Sequence, residues 1–279
     1  MFKVEIMRKT DFTFAVNLSN TMGWNMTPQD FAFNCAMEPE GCFVLREDSE
    51  QVGIATCISY GKTGWFGNLI VKEENRRKGA GLFLLRHAVD YLHRKGVETV
   101  GLYAYPKLVG FYGKAGFDVD VDFLVLHAEN PAVTSKETPT RVDSKTLAAV
   151  VDFDRACFGG DRKRLLEVVF LDHGNLGYYV SEGNSVVGFV GAKDYAGMAE
   201  LGPLVCEPNR PDVALKLVKA VLSRLGDRAV YLYLPKHQTA LHNYLYSIGF
   251  KEQFSLTRMF LTRNPLKNCI YIAESLERG

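Results

Sequence analysis

The sequence lacks several features that mark special classes of protein. None of its apolar runs approaches the length of a membrane-spanning helix. Its six cysteines contain no Cys-x-x-Cys pair, and its net charge is only +1. We therefore expect no metal site and no general attraction to nucleic acid. Residues 1–9 alternate charged and apolar residues like a first strand, so no signal peptide is predicted and a cytoplasmic protein without membrane contact is expected.

Composition sets the size and class of the molecule. The chain has 279 residues, of which 47% are apolar. This length gives room for one large domain or two of ordinary size, and this apolar content favours packed cores over disorder. The cysteines stand mostly among apolar neighbours, which is typical of reduced core residues.

One stretch of the sequence predicts a ligand site. The apolar run 69–71 has the composition of a buried strand end, and an apolar helical pattern begins at Leu82. Between them lies a basic turn that contains glycine, Arg76-Arg77-Lys78-Gly79-Ala80-Gly81. Free N–H groups at a helix start, close approach at glycine and three adjacent cations favour a phosphate or pyrophosphate. A basic helix start on a solvated surface is the alternative interpretation.

Two well-known phosphate-binding loops do not fit this turn. A P-loop continues with Gly-Lys-Ser/Thr, whereas Lys78 is followed by Gly79. A dinucleotide fingerprint has a third glycine at the position of Leu84. The spacing of Arg76, Gly79 and Gly81 instead resembles the Arg-x-x-Gly-x-Gly signature of the GNAT superfamily of N-acetyltransferases.

A second stretch strengthens this resemblance. Tyr112, Gly116 and Phe117 are similar to the Tyr-x-x-x-Gly-Phe element that closes the CoA site in the same superfamily. The element follows a strand-like run, residues 97–103, at the expected distance. Two signatures in the right order are more specific than either alone.

The resemblance implies acetyl-CoA as the co-substrate, with its pyrophosphate at the basic turn. It also implies that the strand 69–71 is splayed, offers backbone N–H groups to the thioester carbonyl and pairs with the pantetheine arm like an added strand. The residues expected to bind acetyl-CoA on this basis are Leu69, Ile70, Val71, Arg76, Arg77, Lys78, Gly79, Ala80, Gly81, Leu82 and Lys114.

Tyr112 is the predicted catalytic residue. A phenol has a proton to give to the departing thiolate, and phenylalanine could not replace it in this role. Packing of an aromatic ring on a buried short helix is the alternative interpretation. Many relatives carry Asn where Tyr105 stands, so the way in which the pantetheine or leaving sulfur is held at that point stays open. No general base is identifiable in the sequence.

Two residues are weaker candidates for binding the acyl acceptor. In acetyltransferases of this kind an early helix-loop-helix covers the acceptor side, which places Trp24 at the substrate pocket. Packing of Trp24 between the two early helices is the alternative. Asn68, beside the splayed strand, is a candidate to orient an amine or water.

The second half of the chain is a weaker copy of the first. Residues 204–210 align with residues 70–76, and Gly249-Phe250 aligns with Gly116-Phe117. The second copy has Pro211-Asp212-Val213-Ala214-Leu215 in place of the glycine turn, and Leu245 in place of Tyr112. It also resembles the GNAT-type C-terminal domain of a family of two-domain bacterial and archaeal proteins. One CoA site, in the first domain, is therefore predicted.

The sequence as a whole predicts an α/β protein of two tandem GNAT-like domains, each with a mixed, mainly antiparallel central sheet flanked by helices. The predicted boundaries are 1–128 for the acetyltransferase domain, 129–143 for a polar linker and 144–279 for the degenerate domain. The predicted activity is acetyl transfer from acetyl-CoA to a primary amine of a small molecule, peptide or protein. A non-catalytic sensor of CoA or acyl-CoA, or a partner-binding module, is the alternative, and a third possibility is an acyl donor longer than acetyl.

Overall fold

The computed structural model describes residues 1–131, 133–195, 197–267 and 269–279. The first half of the chain contains six strands and four helices in the described residues. They are β1 (Phe2–Ile6), α1 (Phe12–Asn20), α2 (Pro28–Met37), β2 (Cys42–Glu47), β3 (Glu50–Tyr60), β4 (Thr63–Val71), α3 (Ala80–Arg94), β5 (Thr99–Ala104), α4 (Val109–Lys114) and β6 (Phe117–Ala128).

The second half repeats this order with one more strand at its end. Its elements are β7 (Thr140–Arg141), α5 (Leu147–Phe158), α6 (Lys163–Leu171), β8 (Leu176–Glu182), β9 (Ser185–Tyr195), β10 (Met198–Cys206), α7 (Pro211–Leu222), β11 (Ala229–Pro235), α8 (Thr239–Ser247), β12 (Lys251–Leu261) and β13 (Ile270–Ile272). The repeated order confirms the predicted α/β class and tandem architecture.

Local sequence signals account for the helix boundaries. The backbone N–H of Thr27 donates to Asp30 at 2.7 Å, and Pro28 occupies the first position of α2, so this helix begins with a capping box. Helix α3 ends one residue before Lys95, and Gly96 takes a φ of +86°, where a side chain would be strained. The predicted linker is not wholly irregular, because Thr140 and Arg141 pair with β8.

All the described strands form one sheet. In this sheet each half of the chain contributes one strand to the other half. The order is β1-β2-β3-β4-β5-β12-β6-β11-β10-β9-β8-β7, with β13 paired to β10. Strand β12 of the second half pairs with β5 of the first, and β6 of the first half pairs with β11 of the second. Each half is therefore completed by the last long strand of the other. The domain boundaries stay a prediction, but neither predicted segment forms its part of the sheet alone.

Helices cover both faces of each half. Helices α3 and α4 pack on one face of the first half, over a core that includes Leu85, Leu92 and Phe66. Helices α1 and α2 lie on the other face, over Ile54 and Ile70. In the second half, α7 and α8 cover one face and α5 and α6 the other. No helix in the described part of the chain is long and apolar enough to cross a membrane.

Candidate active site

Strands β4 and β5 lie side by side only at their beginnings. Among the described residues, their parallel pairing joins residues 63–65 to residues 99–101. Beyond Trp65, β4 continues as far as Val71 in its pairing with β3. Strand β5 meanwhile keeps β12 on its far side as far as Ala104. A wedge therefore opens between the two strands, and the edge of β4 after Trp65 has no strand partner on that side in the described structure.

A bulge shapes the open part of β4. The pairing with β3 shifts between Ile54, opposite Ile70, and Thr56, opposite Gly67, so that β4 holds one extra residue there. Asn68 lies in this bulge with a φ of +52°, and its side-chain amide donates to the hydroxyl of Thr56 at 3.1 Å. Asn68 is thus buried and turned towards β3, and its part in binding an acceptor stays a prediction.

The basic turn follows directly from the open strand. A short 3-10 helix, Glu73–Asn75, leads into it, and the Nε of Arg76 donates back to the carbonyl of Val71 at 2.9 Å. Arg77 and Gly79 both adopt left-handed φ values, +63° and +86°. The three cations 76–78 are exposed. The turn therefore holds a high local positive charge at the end of a strand whose edge is unpaired.

Helix α3 begins at this turn with its N–H groups free. Gly79 is the residue before the helix, and no side chain caps the first turn in the described structure. A Cβ added at Gly79 would meet nothing within 4 Å, and one added at Gly81 would lie 3.7 Å from Phe111. The space above the helix start is therefore open. Free N–H groups and open space at a helix N-terminus suit an anionic group such as a diphosphate.

The predicted acetyl-CoA residues lie along one continuous path. Leu69, Ile70 and Val71 end the open strand, and residues 76–79 form the turn. Ala80, Gly81 and Leu82 begin α3, while exposed Lys114 ends the neighbouring helix α4. Phe111 of α4 lies beside Gly81, so α4 borders the helix start. Contact of these residues with acetyl-CoA stays a prediction.

Tyr112 lies on α4 and is only 6% exposed. Its ring packs against Phe111 and Phe117, with centroid distances of 5.0 and 6.0 Å. Burial raises the pKa of the Tyr112 hydroxyl above its ordinary value. The phenol therefore keeps its proton at neutral pH. A raised pKa keeps the proton present but makes its donation harder, so both interpretations of Tyr112 stay open.

Trp24 belongs to an aromatic group that the sequence did not predict. Its indole Nε1 donates to the hydroxyl of Tyr105 at 3.0 Å, and the Tyr105 ring lies 5.7 Å from Phe254. Tyr105 directly follows β5, whereas Phe254 belongs to the exchanged strand β12. The early helical region, the end of β5 and the second half of the chain thus meet at one place. Only the strand exchange brings Phe254 there, and no local signal in the sequence encodes that exchange.

The second half contains the same wedge, and a strand fills it. Residues 198–200 of β10 pair with residues 229–231 of β11, after which the two strands diverge. Strand β13 pairs antiparallel with residues 204–206 of β10, and the N–H of Ala273 donates to Tyr233 of β11 at 3.1 Å. A Cβ at Gly202 would lie 2.0 Å from the carbonyl oxygen of Ala273. The chain itself therefore occupies this gap between the strands.

Comparison with protein families agrees with both halves of the fold. A model described as an acetyltransferase (GNAT) family matches residues 10–117, and a model described as an acetyltransferase (GNAT) domain matches residues 150–270. The chain belongs to the GNAT superfamily as a tandem acyltransferase, as the two sequence signatures predicted.

Individual relatives share the full length of this architecture. Holothin acyltransferase from Pseudoalteromonas sp. (strain SANK 73390) is 26% identical over 248 residues, which cover 87% of this chain and 83% of that protein. A Pyrococcus horikoshii protein assigned to the acetyltransferases superposes with a TM-score of 0.81 at 23% identity, over 100% of this chain and 96% of that one. A tandem GNAT protein from the clavulanic acid biosynthesis pathway gives a TM-score of 0.63 at 14% identity, over 93% and 98% of the two chains.

Proposed function

We propose that this chain transfers an acetyl group from acetyl-CoA to a primary amine, and that the transfer takes place in the first half. One observation carries the proposal. The unpaired edge of β4 leads into an uncapped glycine turn with three exposed cations, and among the described residues only the first half combines these features. The relative named holothin acyltransferase supports acyl transfer as the reaction class.

The residues at the turn fit a diphosphate. Its charge would meet Arg76, Arg77 and Lys78 together with the free N–H groups at the start of α3. The absence of a side chain at Gly79 and Gly81 leaves room for close approach to the backbone. When bound, acetyl-CoA supplies an activated thioester.

The chain has two groups that suit acyl transfer. Backbone N–H groups on the unpaired part of β4 can stabilise negative charge on the thioester oxygen, an effect worth roughly a hundredfold in rate per donor. The Tyr112 hydroxyl, which keeps its proton and whose pKa burial raises further, is the proposed proton donor to the departing sulfur. Both roles require that the amine reach the wedge from the side opposite α3.

A screen of amines tests the proposed function. The protein is saturated with acetyl-CoA and offered a panel of small amines, amino acids and lysine peptides, and free thiol is measured as it is released. The Gly81→Glu variant serves as the background, because it blocks the proposed donor site. Amine-dependent thiol release above this background is expected. If no amine in the panel produces any, the proposed acetyl transfer is wrong, and the same screen with propionyl- and longer acyl-CoA donors shows whether a longer acyl group is transferred instead.

A further inference from the structure

The segment that follows β13 runs from the second half to the first. The hydroxyl of Tyr60, on β3, donates to the carbonyl of Arg278 at 2.9 Å. The Arg278 guanidinium donates to the side chain of Asn34 on α2 at 3.1 Å. Gly279 lies against the ring of Trp65, where a Cβ would come within 2.7 Å. Arg278 and Gly279 therefore pack on the first half, on the face that carries α2.

Glu277 in this segment lies beside the open part of β4. A Cβ added at Gly67 would lie 2.6 Å from the Cβ of Glu277 and 2.7 Å from its Cα, so only glycine leaves space for the segment. Gly67 is the second residue of β4 after its last pairing with β5. Since alternate strand residues share a face, Gly67 points to the same side as Trp65, away from the core under α3. Glu277 thus borders the wedge on the face opposite α3.

The charges around Glu277 do not balance. Lys193 of β9 contacts Glu200 of β10 at 2.6 Å and also pairs with Glu274. Arg278 contacts Glu274 at 2.9 Å and Glu277 at 2.6 Å. Three carboxylates share two cations in this cluster, which leaves one negative charge when all are ionised. A largely buried excess charge is unfavourable unless a proton or a cationic ligand compensates it.

Glu277 is the member of the cluster that a ligand can reach. Its side chain is 21% exposed, against 12% for Glu200 and 0% for Glu274. Burial raises the pKa of Glu277, Glu200 and Glu274 raise it further, and Arg278 and Lys193 oppose them. The opposite holds for Glu274, where Arg278 and Lys193 outweigh burial and lower the pKa to about 2. Three tyrosine hydroxyls also face these charges: Tyr233 on β11, which donates to Glu200, Tyr195 at the end of β9, and Tyr60 on β3.

We propose that Glu277 is the general base of the acyl transfer, and that it binds the acceptor as an ammonium ion before taking its proton. This inference rests on the proposed function and adds to it a catalytic residue from the second half of the chain. The excess negative charge and the partly exposed side chain of Glu277 select a cationic acceptor. Glu277 has its Cβ beside Gly67, on the strand whose free N–H groups would face the thioester.

The proposed step moves two protons from nitrogen and exchanges a C–S bond for a C–N bond. The ammonium nitrogen gives one proton to a carboxylate oxygen of Glu277, and its freed electron pair attacks the thioester carbonyl carbon. The C–N bond forms, the C–S bond breaks, and the electrons of that bond leave with sulfur. The second nitrogen proton balances the charge on sulfur, directly or through the Tyr112 hydroxyl, which gives its proton and regains one. The proton on Glu277 then passes to solvent through its exposed edge.

The test compares Glu277→Gln with Glu277→Asp and with Glu252→Gln, which removes an exposed carboxylate on β12. Glu277→Gln is expected to lower kcat/KM for the amine by about a hundredfold or more, with an unchanged Kd for acetyl-CoA. Wild-type kcat/KM is expected to fall as pH drops through the raised pKa of Glu277, and this acid limb should vanish in Glu277→Gln. Glu277→Asp should keep the limb at a reduced rate, and Glu252→Gln should behave as wild type.

The thermal stability of Glu277→Gln distinguishes a catalytic role of Glu277 from a structural one. Because the native state raises the pKa of Glu277, the neutral side chain is favoured there, and Glu277→Gln should leave Tm at neutral pH unchanged or higher. A variant that loses activity together with several degrees of Tm would show a structural role and overturn the inference. So would a Glu277→Gln enzyme that keeps the wild-type rate and acid limb, although the proposed function would then stand. If the wild type acylates no amine, the proposed function and this inference both fail.

Discussion

Corresponding strands surround the two wedges of the molecule, but the wedge of the first half is open and that of the second half is filled. In the first half, β4 and β5 diverge after residue 65 and the edge of β4 has no strand partner in the described structure. In the second half, β10 and β11 diverge after residue 200 and β13 fills the gap with its own backbone. An edge that could pair with an extended ligand is thus already paired with the chain. The two halves therefore share one strand arrangement, whereas the wedge of the second half is a structural contact.

The turns that follow β4 and β10 also differ: the turn of the first half has exposed cations, and the cation of the second half is paired. Arg210 stands where Arg76 stands in the first half, but it pairs with Asp212 at 3.0 Å and with Glu182 at 2.8 Å. Pro211 begins α7 at the place of the glycine turn. The cation of the second half is therefore neutralised by its own neighbours. The second half instead contributes to the first, through β12 beside β5 and through the segment that carries Glu277.

The largest effect is expected from a substitution at the start of α3, beside the open wedge. Gly81→Glu should reduce acetyl-CoA binding by about a thousandfold or more, because an anionic side chain would stand beside the diphosphate at the helix start. Isothermal titration calorimetry should show near one site per wild-type chain and none in the variant. The control is Gly81→Ala, whose Cβ fits at 3.7 Å from Phe111 and should leave binding within a fewfold of wild type. Two equivalent sites in the wild type would contradict the comparison.

The next effect tests the filled wedge. Ile272 of β13 is fully buried, and Ile272→Ala should lower the free energy of unfolding by about 3 kcal/mol, through lost burial and the cavity left behind. Denaturant titration measures the loss, with Ile6→Ala as the control, because Ile6 is 46% exposed and should cost about 0.5 kcal/mol. Weakening β13 should not create a second acetyl-CoA site, since the turn above it lacks glycine and free cations. A stoichiometry of two in Ile272→Ala would show that β13 alone closes the second site.

The strand-turn-helix of the first half could be predicted because its signals are local. Residues 69–71, the glycine turn and the apolar period of α3 are neighbours in sequence, and the structure places the helix at Ala80–Arg94. The strand exchange could not be predicted in this way. Strands β6 and β12 have similar lengths, and each lies at a Gly-Phe turn. Their sequences alone would therefore allow either strand to complete either half. Their pairing depends on contacts across more than a hundred residues, and the role of Glu277 depends on a segment with no local signature.

Replacement of Tyr112, the predicted proton donor, compares the two short helices α4 and α8. Tyr112→Phe should lower kcat and kcat/KM for the amine together by about a hundredfold, because the proton to the leaving sulfur is needed only in the transition state. Affinity for acetyl-CoA should stay unchanged, since the buried ring and its packing remain. The matched control is Tyr246→Phe on α8, next to Leu245, which stands where Tyr112 stands in the first half. A Tyr112→Phe enzyme with wild-type turnover would make Tyr112 a packing residue.

The smallest effect compares the two arginines at the turns. Arg76 is exposed, and its Nε already donates to Val71, which holds the guanidinium at the end of the open strand. Arg76→Ala should weaken acetyl-CoA binding about tenfold at low salt, the value of one charge-assisted hydrogen bond, and less at high salt. Arg210→Ala should leave binding unchanged, because Asp212 and Glu182 hold that guanidinium and β13 fills the wedge beneath it. Calorimetric titration at two ionic strengths measures both variants. Equal losses in the two variants would mean that the arginines act through folding, and that the difference between the two wedges does not decide where the diphosphate binds.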